Sequence, residues 1–305
     1  MDGIINILKP PGMTSHDVVA YIRKLTGIKK VGHTGTLDPL AVGVLPICLG
    51  KATKASNYIA NGTKTYRTEL KLGIITATGD AEGNVISQCD WNTHVNKHKF
   101  YSTIDRIVKE FVGQSTQIPP MYSAVKVQGK KLYELARSGQ QVERKPRKIE
   151  IYDIKVIDYS SDDGTILFDV TCSKGTYIRV LCEDIGKKIG CGAYMTYLIR
   201  TEVSRFNIEN AITLEQLKLL ADQNQLSKGI IPTETVFLDY QKYVIEQSEE
   251  QKRFINGAKI NINPNDLQLV DIDFIRIYVG NKFIGIAKLI KQDLEIQAKV
   301  EQFFI

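Results

Sequence analysis

Five cysteines, at 48, 89, 172, 182 and 191, include no Cys-x-x-Cys pair. That spacing excludes a zinc knuckle, offers no disulfide framework and fits a reducing compartment, the cytoplasm. No stretch of about 18 apolar residues occurs, so no membrane-spanning helix is expected. The first residues, Met1 to Pro10, lack a basic start followed by a long apolar run, so no secretory leader is expected either. Signatures of bound cofactors are also missing. Gly50-Lys51 looks like the end of a phosphate loop, but Gly43 stands too far before Gly50 and Ala52 replaces the hydroxyl residue. His94 and His98 lack the glutamate of a metalloprotease helix, no Gly-x-Gly-x-x-Gly follows a strand pattern, and no Ser-His-Asp or Cys-His pairing can be assigned. The reading therefore predicts no metal and no nucleotide cofactor.

What is present is a globular composition, 43% hydrophobic and 24% charged over 305 residues, enough for about two domains. The net charge of +6 is unevenly spread: residues 1–150 hold 22 Lys/Arg against 12 Asp/Glu, and residues 151–305 hold 18 against 22. A one-sided basic excess is the footprint of a polyanion partner, although solubility alone also tolerates it.

Hydrophobic spacing predicts a helix over 14–27, with a capping box from Thr14 to Asp17, a stripe of Val18, Ile22 and Leu25, and Gly27 as its end. Residues 28–64 read as loop and short strands. Alternation predicts a strand over 65–72, with Tyr66, Thr68, Leu70 and Leu72 on one face. A second helix is expected over 102–112 with Gly113 as stop. Residues 114–148 lack long periodicity, and strands follow at 149–157 and 165–172. Gly175 turns the chain into a helix carrying Ile178, Leu181, Ile185 and Ile189, closed by Gly190, and a short helix starts near Thr213. Residues 222–234 read as a polar linker. Phe274–Val279 and Phe283–Ile290 flank a hairpin loop, and 297–305 add a last strand.

Among candidate chemical groups, Asp38 stands out. It is the only acidic residue between Asp17 and Glu69, an interval with eight Lys/Arg, and Pro39 pushes it out of helical geometry. Nearby positive charge would keep it ionised, as a nucleophile or general base, although Asp-Pro also suits an ordinary turn. Arg179, just inside a strand-to-helix junction, is a candidate carboxylate partner. Tyr66 suits a core position or stacking on a base. The stretch 121–150 carries Lys126, Lys130, Lys131, Arg137, Arg144, Lys145, Arg147 and Lys148 with Tyr122 and Tyr133 interleaved, a pattern for RNA backbone contact or for a solvated loop.

The run Lys30-Val31-Gly32-His33-Thr34-Gly35-Thr36-Leu37-Asp38-Pro39-Leu40-Ala41-Val42-Gly43 closely resembles the signature of the TruB family of tRNA pseudouridine synthases. Further motifs come in the family order: Leu8-Lys9-Pro10-Pro11-Gly12, Lys64-Thr65-Tyr66-Arg67, Pro119-Pro120-Met121-Tyr122-Ser123-Ala124-Val125-Lys126 with Gly129-Lys130-Lys131-Leu132-Tyr133, Ser173-Lys174-Gly175-Thr176-Tyr177-Ile178-Arg179, and Gly190-Cys191-Gly192-Ala193 with Tyr197-Leu198. The likeness spans roughly 1–215.

The resemblance implies an α+β fold, a mixed, mostly antiparallel sheet flanked by helices, in a catalytic domain over 1–234 with a basic RNA-binding insertion at 114–148. A small PUA-like β domain would follow over 235–305. It implies that Asp38 acts at the ribosyl carbon of a target uridine, that Arg179 pairs with it, and that Tyr66 stacks on the flipped uracil. Tyr177 and Leu198 would line the pocket, His33 would enter the RNA loop, and Lys9 and Lys54 would contact phosphate or pocket. Lys126, Lys130 and Lys131 would bind RNA. The implied substrate is the T-loop uridine of tRNA, position 55, and the implied enzyme is a cytoplasmic monomer needing no cofactor. The alternatives are a tRNA-folding chaperone and a guide-RNA-dependent relative.

Overall fold

A computed structural model describes residues 1–127, 129–140, 142–267, 272–292 and 295–305. In chain order the elements are β1 (Gly3–Lys9), α1 (Ser15–Thr26), β2 (Val31–His33), β3 (Val42–Leu49), α2 (Ser56–Asn61), β4 (Lys64–Leu72), β5 (Ile74–Thr76), β6 (Val85–Gln88), α3 (Phe100–Lys109) and β7 (Gly113–Gln117). Then come β8 (Lys126–Val127), β9 (Lys130–Lys131), α4 (Leu132–Arg137), β10 (Arg147–Ser160), β11 (Thr165–Cys172), α5 (Ile178–Ile189), β12 (Ala193–Val203), β13 (Phe206–Asn207) and α6 (Leu214–Asp222). The chain closes with β14 (Gln241–Ile245), α7 (Ser248–Ile255), β15 (Ile260–Ile262), β16 (Phe274–Val279), β17 (Lys282–Gln292) and β18 (Glu295–Phe303).

The main sheet runs β1-β3-β12-β4-β11-β10-β7, with β2 added to β3 and β13 to β12. Its β3–β12 contact is parallel and its other pairings are antiparallel. A second sheet, β14-β16-β17-β18-β15, encloses its own core of Ile245, Phe254, Ile275, Ile277 and Leu289. The α+β architecture therefore stands as expected. The second sheet is docked through Phe237, which is buried among Ala55, Ile286 and Phe304.

α1 forms where the spacing places it. Thr14 caps it with a reciprocal capping box to Asp17, and Gly27 ends it in the left-handed region at φ +69°. β4 alternates buried and half-buried residues along its length, as its sequence does. α5 ends at Gly190 and α6 starts from a Thr213–Gln216 capping box.

Other segments differ from their sequence patterns. β1 and β3 are buried almost throughout, because α1 and α6 cover one face and residues such as Ile59, Val203 and Phe206 the other. A strand covered on both faces shows an apolar run rather than alternation. Residues 50–61, expected as loop, form a 3-10 turn (Gly50–Ala55) leading into α2. α3 stops at Lys109, Val112 is exposed and Gly113 opens β7 instead of capping the helix. The aperiodic 114–148 segment contains β7, the β8–β9 pair and α4. The linker expected at 222–234 packs against β1, where Ile4 and Ile231 exchange two backbone hydrogen bonds of 2.9 and 2.8 Å.

Candidate active site

Asp38 lies in the loop between β2 and β3, and that loop is held from several sides. Beneath it, Lys9 at the end of β1 donates from Nζ to the carbonyls of Pro10 (2.8 Å), Met13 (2.6 Å) and Pro39 (2.9 Å). Ser15 at the start of α1 accepts from the Leu37 amide at 2.9 Å. From β12, Arg200 donates through Nε to Val44 O (2.8 Å), through Nη2 to Gly35 O (3.1 Å) and through Nη1 to Thr36 O (3.5 Å). A loop with its carbonyls so engaged presents one carboxylate in one place.

That carboxylate meets Arg179, from the first turn of α5, with Nε 3.1 Å from Asp38 Oδ2. The rest of the guanidinium is also fixed. Nη1 stands 3.3 Å from Asp80 Oδ2 and donates to Thr78 O at 3.1 Å, while Nη2 donates to Tyr122 O at 2.8 Å. Asp80 in turn accepts from the Thr78 hydroxyl and from the Glu82 amide. Arg179 is thus a junction between the Asp38 loop, the 78–80 turn and the inserted segment.

The pair opens into a cleft of about 380 Å³ lined by Gly35, Tyr66, Tyr177 and Leu198, among others. Tyr66 on β4 and Arg200 on β12 are direct cross-strand partners. Tyr66 belongs both to the core cluster around Leu70 and Phe168 and to the cleft wall, so its two expected roles are compatible. Tyr177 caps α5, its amide donating to Gln117 Oε1 at 2.9 Å.

The electrostatics follow from enclosure. Although 40% of the Asp38 side chain is open to the cleft, burial pushes its carboxyl above the ordinary value, and Asp80 adds to this. Arg179 and then Lys9 act in the opposite direction. An anion held this way is a stronger base and nucleophile than one in water. Burial raises the Tyr66 and Tyr177 phenols. His33 is pulled down to about 4 by burial, helped by His16 and Arg200, and is therefore neutral near pH 7.

Of the residues singled out from sequence, Asp38, Arg179, Tyr66, Tyr177 and Leu198 come together in the cleft. His33 ends β2 just before the lining residues Thr34 and Gly35. Lys126 and Lys131 face each other in the β8–β9 pair, with Lys130 exposed beside them, and Ser123, Ala124 and Val125 continue from this pair into the cleft wall. Two lysines are placed otherwise than expected. Lys9 is 0% exposed with its ammonium directed at three carbonyls, so it braces the loop. Lys54 is not among the cleft lining, and its Nζ donates to Phe303 O at 2.9 Å, tying the first sheet's unit to the second.

Asp80, Arg200 and the Tyr122 carbonyl were missed. Arg200 left a signal: β12 points Ala193, Met195, Leu198 and Arg200 inward, and a charge at an inward position is a functional hint. Asp80 left none, since it sits in a polar turn. Among the described residues no three of His, Cys, Asp and Glu stand together to hold a metal ion, and no helix is long and apolar enough to cross a membrane.

Comparison with known proteins shows the family of the chain. Residues 23–178 match the TruB family pseudouridylate synthase N-terminal domain, and residues 179–238 match the tRNA pseudouridylate synthase B C-terminal domain. A tRNA pseudouridine synthase B of Alkaliphilus oremlandii is 44% identical over 299 residues, covering 96% of this chain and 95% of that protein. One of Clostridioides difficile is 44% identical over 310 residues, covering all of both. Among solved structures, a Cbf5-Nop10-Gar1 complex matches with a TM-score of 0.72 and 29% identity, over 99% of this chain and 85% of the other. Fold and family together define a pseudouridine synthase, an isomerase. Within that class, the chain belongs to the TruB family.

Proposed function

We propose that this chain converts a uridine of tRNA to pseudouridine, at position 55 of the T-loop, with Asp38 as the catalytic carboxylate. The observation that carries the reading is the Asp38–Arg179 pair at the floor of a cleft walled by Tyr66 and Leu198. The names of the 44%-identical relatives support tRNA as the substrate.

The target nucleotide leaves its stack, at a cost of a few kcal/mol. Stacking on Tyr66 offsets about 1–3 kcal/mol of this. Asp38 acts at the ribose of the extruded nucleotide, the C–N glycosidic bond breaks, and the retained uracil turns so that its C5 bonds to the ribosyl carbon. The C5 proton is lost and N1 gains one, so the product is an isomer and no oxidant is needed. Arg179 keeps the carboxylate oriented, and the Tyr66 ring and Leu198 hold the free base against escape.

The β8–β9 pair supports RNA binding by the chain itself. Lys126 opposite Lys131 is a like-charge cross-strand pair, unfavourable unless an anion lies across it. On this reading the enzyme is a stand-alone cytoplasmic monomer, divided near 234/235, whose PUA-like second sheet assists tRNA binding. Asp38→Asn should abolish pseudouridine formation on a T-stem-loop RNA and leave most binding intact. Retained turnover would overturn the assignment.

A further inference from the structure

The cleft is lined by five cationic residues, Lys64, Arg147, Lys174, Arg179 and Arg200, against one carboxylate, Asp38. Arg179 is occupied by Asp38 and Asp80. Arg147 and Lys174 lie at the exposed rim, where water can solvate them. Lys64 and Arg200 are different, being only 7% and 1% exposed.

Apart from the Tyr66 phenol, which also takes a hydrogen bond from Arg200, the acceptors of these two are neutral backbone carbonyls. Lys64 Nζ donates to Ala60 O and Gly62 O, both at 2.8 Å, and Arg200 donates to Val44, Gly35 and Thr36. Among the described residues neither forms an ion pair. They also stand side by side, since a Cβ on Gly35 would lie 3.6 Å from Arg200 Nη1 and 4.0 Å from Lys64 Cε. Burial, and after it the Arg200 charge, lower the Lys64 amine to about 8. Two adjacent buried cations without an anion are costly in a folded protein, and both border a cleft.

We propose that Lys64 and Arg200 form a seat for one phosphodiester group of the RNA backbone, next to the nucleotide held over Asp38. The proposal rests on reading the cleft as a nucleotide site. The ammonium has a third N–H not used by Ala60 and Gly62, and a guanidinium carries five donors, of which three go to carbonyls and one to the Tyr66 phenol here. Gly35 lies between the two cations and interposes no side chain. A phosphate oxygen entering there would accept charge-assisted hydrogen bonds from both. The two lysines that the motifs suggested for phosphate contact, Lys9 and Lys54, are engaged elsewhere, and this pair supplies the function instead.

The test is RNA binding by the full chain carrying Asp38→Asn, so that turnover plays no part. Lys64→Met on that background should raise the dissociation constant of a T-stem-loop RNA about tenfold. It should also reduce the slope of log affinity against log salt by about 0.7–0.9. A scan replacing each phosphate flanking the target uridine by an uncharged methylphosphonate should find one position that weakens the Asp38→Asn protein about tenfold and does not weaken the Lys64→Met variant further. If Lys64 and Arg200 only latch the carbonyls around them, the variant would melt earlier with an unchanged salt slope. Either that result, or a scan on the unsubstituted Lys64 protein without a sensitive phosphate, overturns the proposal. Because binding is read without catalysis, failure of the seat and failure of the isomerase reading give different results.

Discussion

Arg179 joins two carboxylates that are far apart in sequence, holding Asp38 through Nε at 3.1 Å and Asp80 through Nη1 at 3.3 Å, and it is itself buried. A lysine offers one point charge where the guanidinium offers a planar fork. Arg179→Lys should therefore lose the bridge and leave the Thr78 and Tyr122 carbonyls without their donor. The expected result is at least a hundredfold fall in turnover, RNA affinity changed by no more than about threefold, and a stability loss of about 3 kcal/mol. Single-turnover kinetics, filter binding and urea titration measure the three.

The negative charge of Asp80 helps raise the Asp38 carboxyl. The proposed mechanism needs ionised Asp38, so on it the rate should fall as pH drops through the value of this carboxyl in the protein. Asp80→Asn removes one cause of the upward shift, and the acid limb of the rate profile should move to lower pH. A limb that stays in place, or moves upward, would contradict this account.

Burial depresses Lys9 to about 8 from 10.5, with Asp38 partly opposing the effect. For a cation this is a destabilising contribution, fully present below about pH 8 and relieved as pH rises toward the unfolded value. Lys9→Met should be less stable than wild type because three carbonyls lose their donor. Wild type should then gain on the variant by about 2 kcal/mol between pH 7.5 and 9.5. Paired urea titrations give this difference directly, and ionisation of the buried cysteines cancels because both proteins share it.

Gly43 has φ +115° where β3 runs parallel to β12, and any Cβ there would overlap the Arg200 backbone. Gly43→Ala should cost about 3 kcal/mol or more through strain and a displaced strand. Because Arg200 also braces the Asp38 loop, activity should fall along with the melting temperature.

Elements that carry a local period were legible without coordinates. The stripe of α1 with its Thr14 and Gly27 ends, the alternation of β4, the faces of α5 and α6 and the β16–β17 hairpin all formed where the spacing placed them. β1, β3 and β12 were not legible. The first two are covered on both faces and show no alternation, and β12 breaks its own period with register shifts near Met195 and Arg200. Helices with a single exposed face announce themselves locally, whereas strands enclosed by distant elements do not.

For the site, residue chemistry was visible along the chain, and the destination of each side chain was not. Asp38, Tyr66, Arg179, Tyr177 and Leu198 stand in motifs whose order marks the TruB family, and they share one cleft. A lysine in a motif, however, has a long stem, and sequence cannot say whether its ammonium ends in solvent, on a carbonyl or beside another cation. Lys9 turned inward to three carbonyls, Lys54 reached Phe303, and Lys64 settled next to Arg200. The sequence by itself determined the family, the periodic elements and the carboxylate among basic residues. Only the tertiary structure decided that Asp80 shares Arg179 and that Lys64 and Arg200 lie buried together, because both depend on contacts between segments about a hundred residues or more apart.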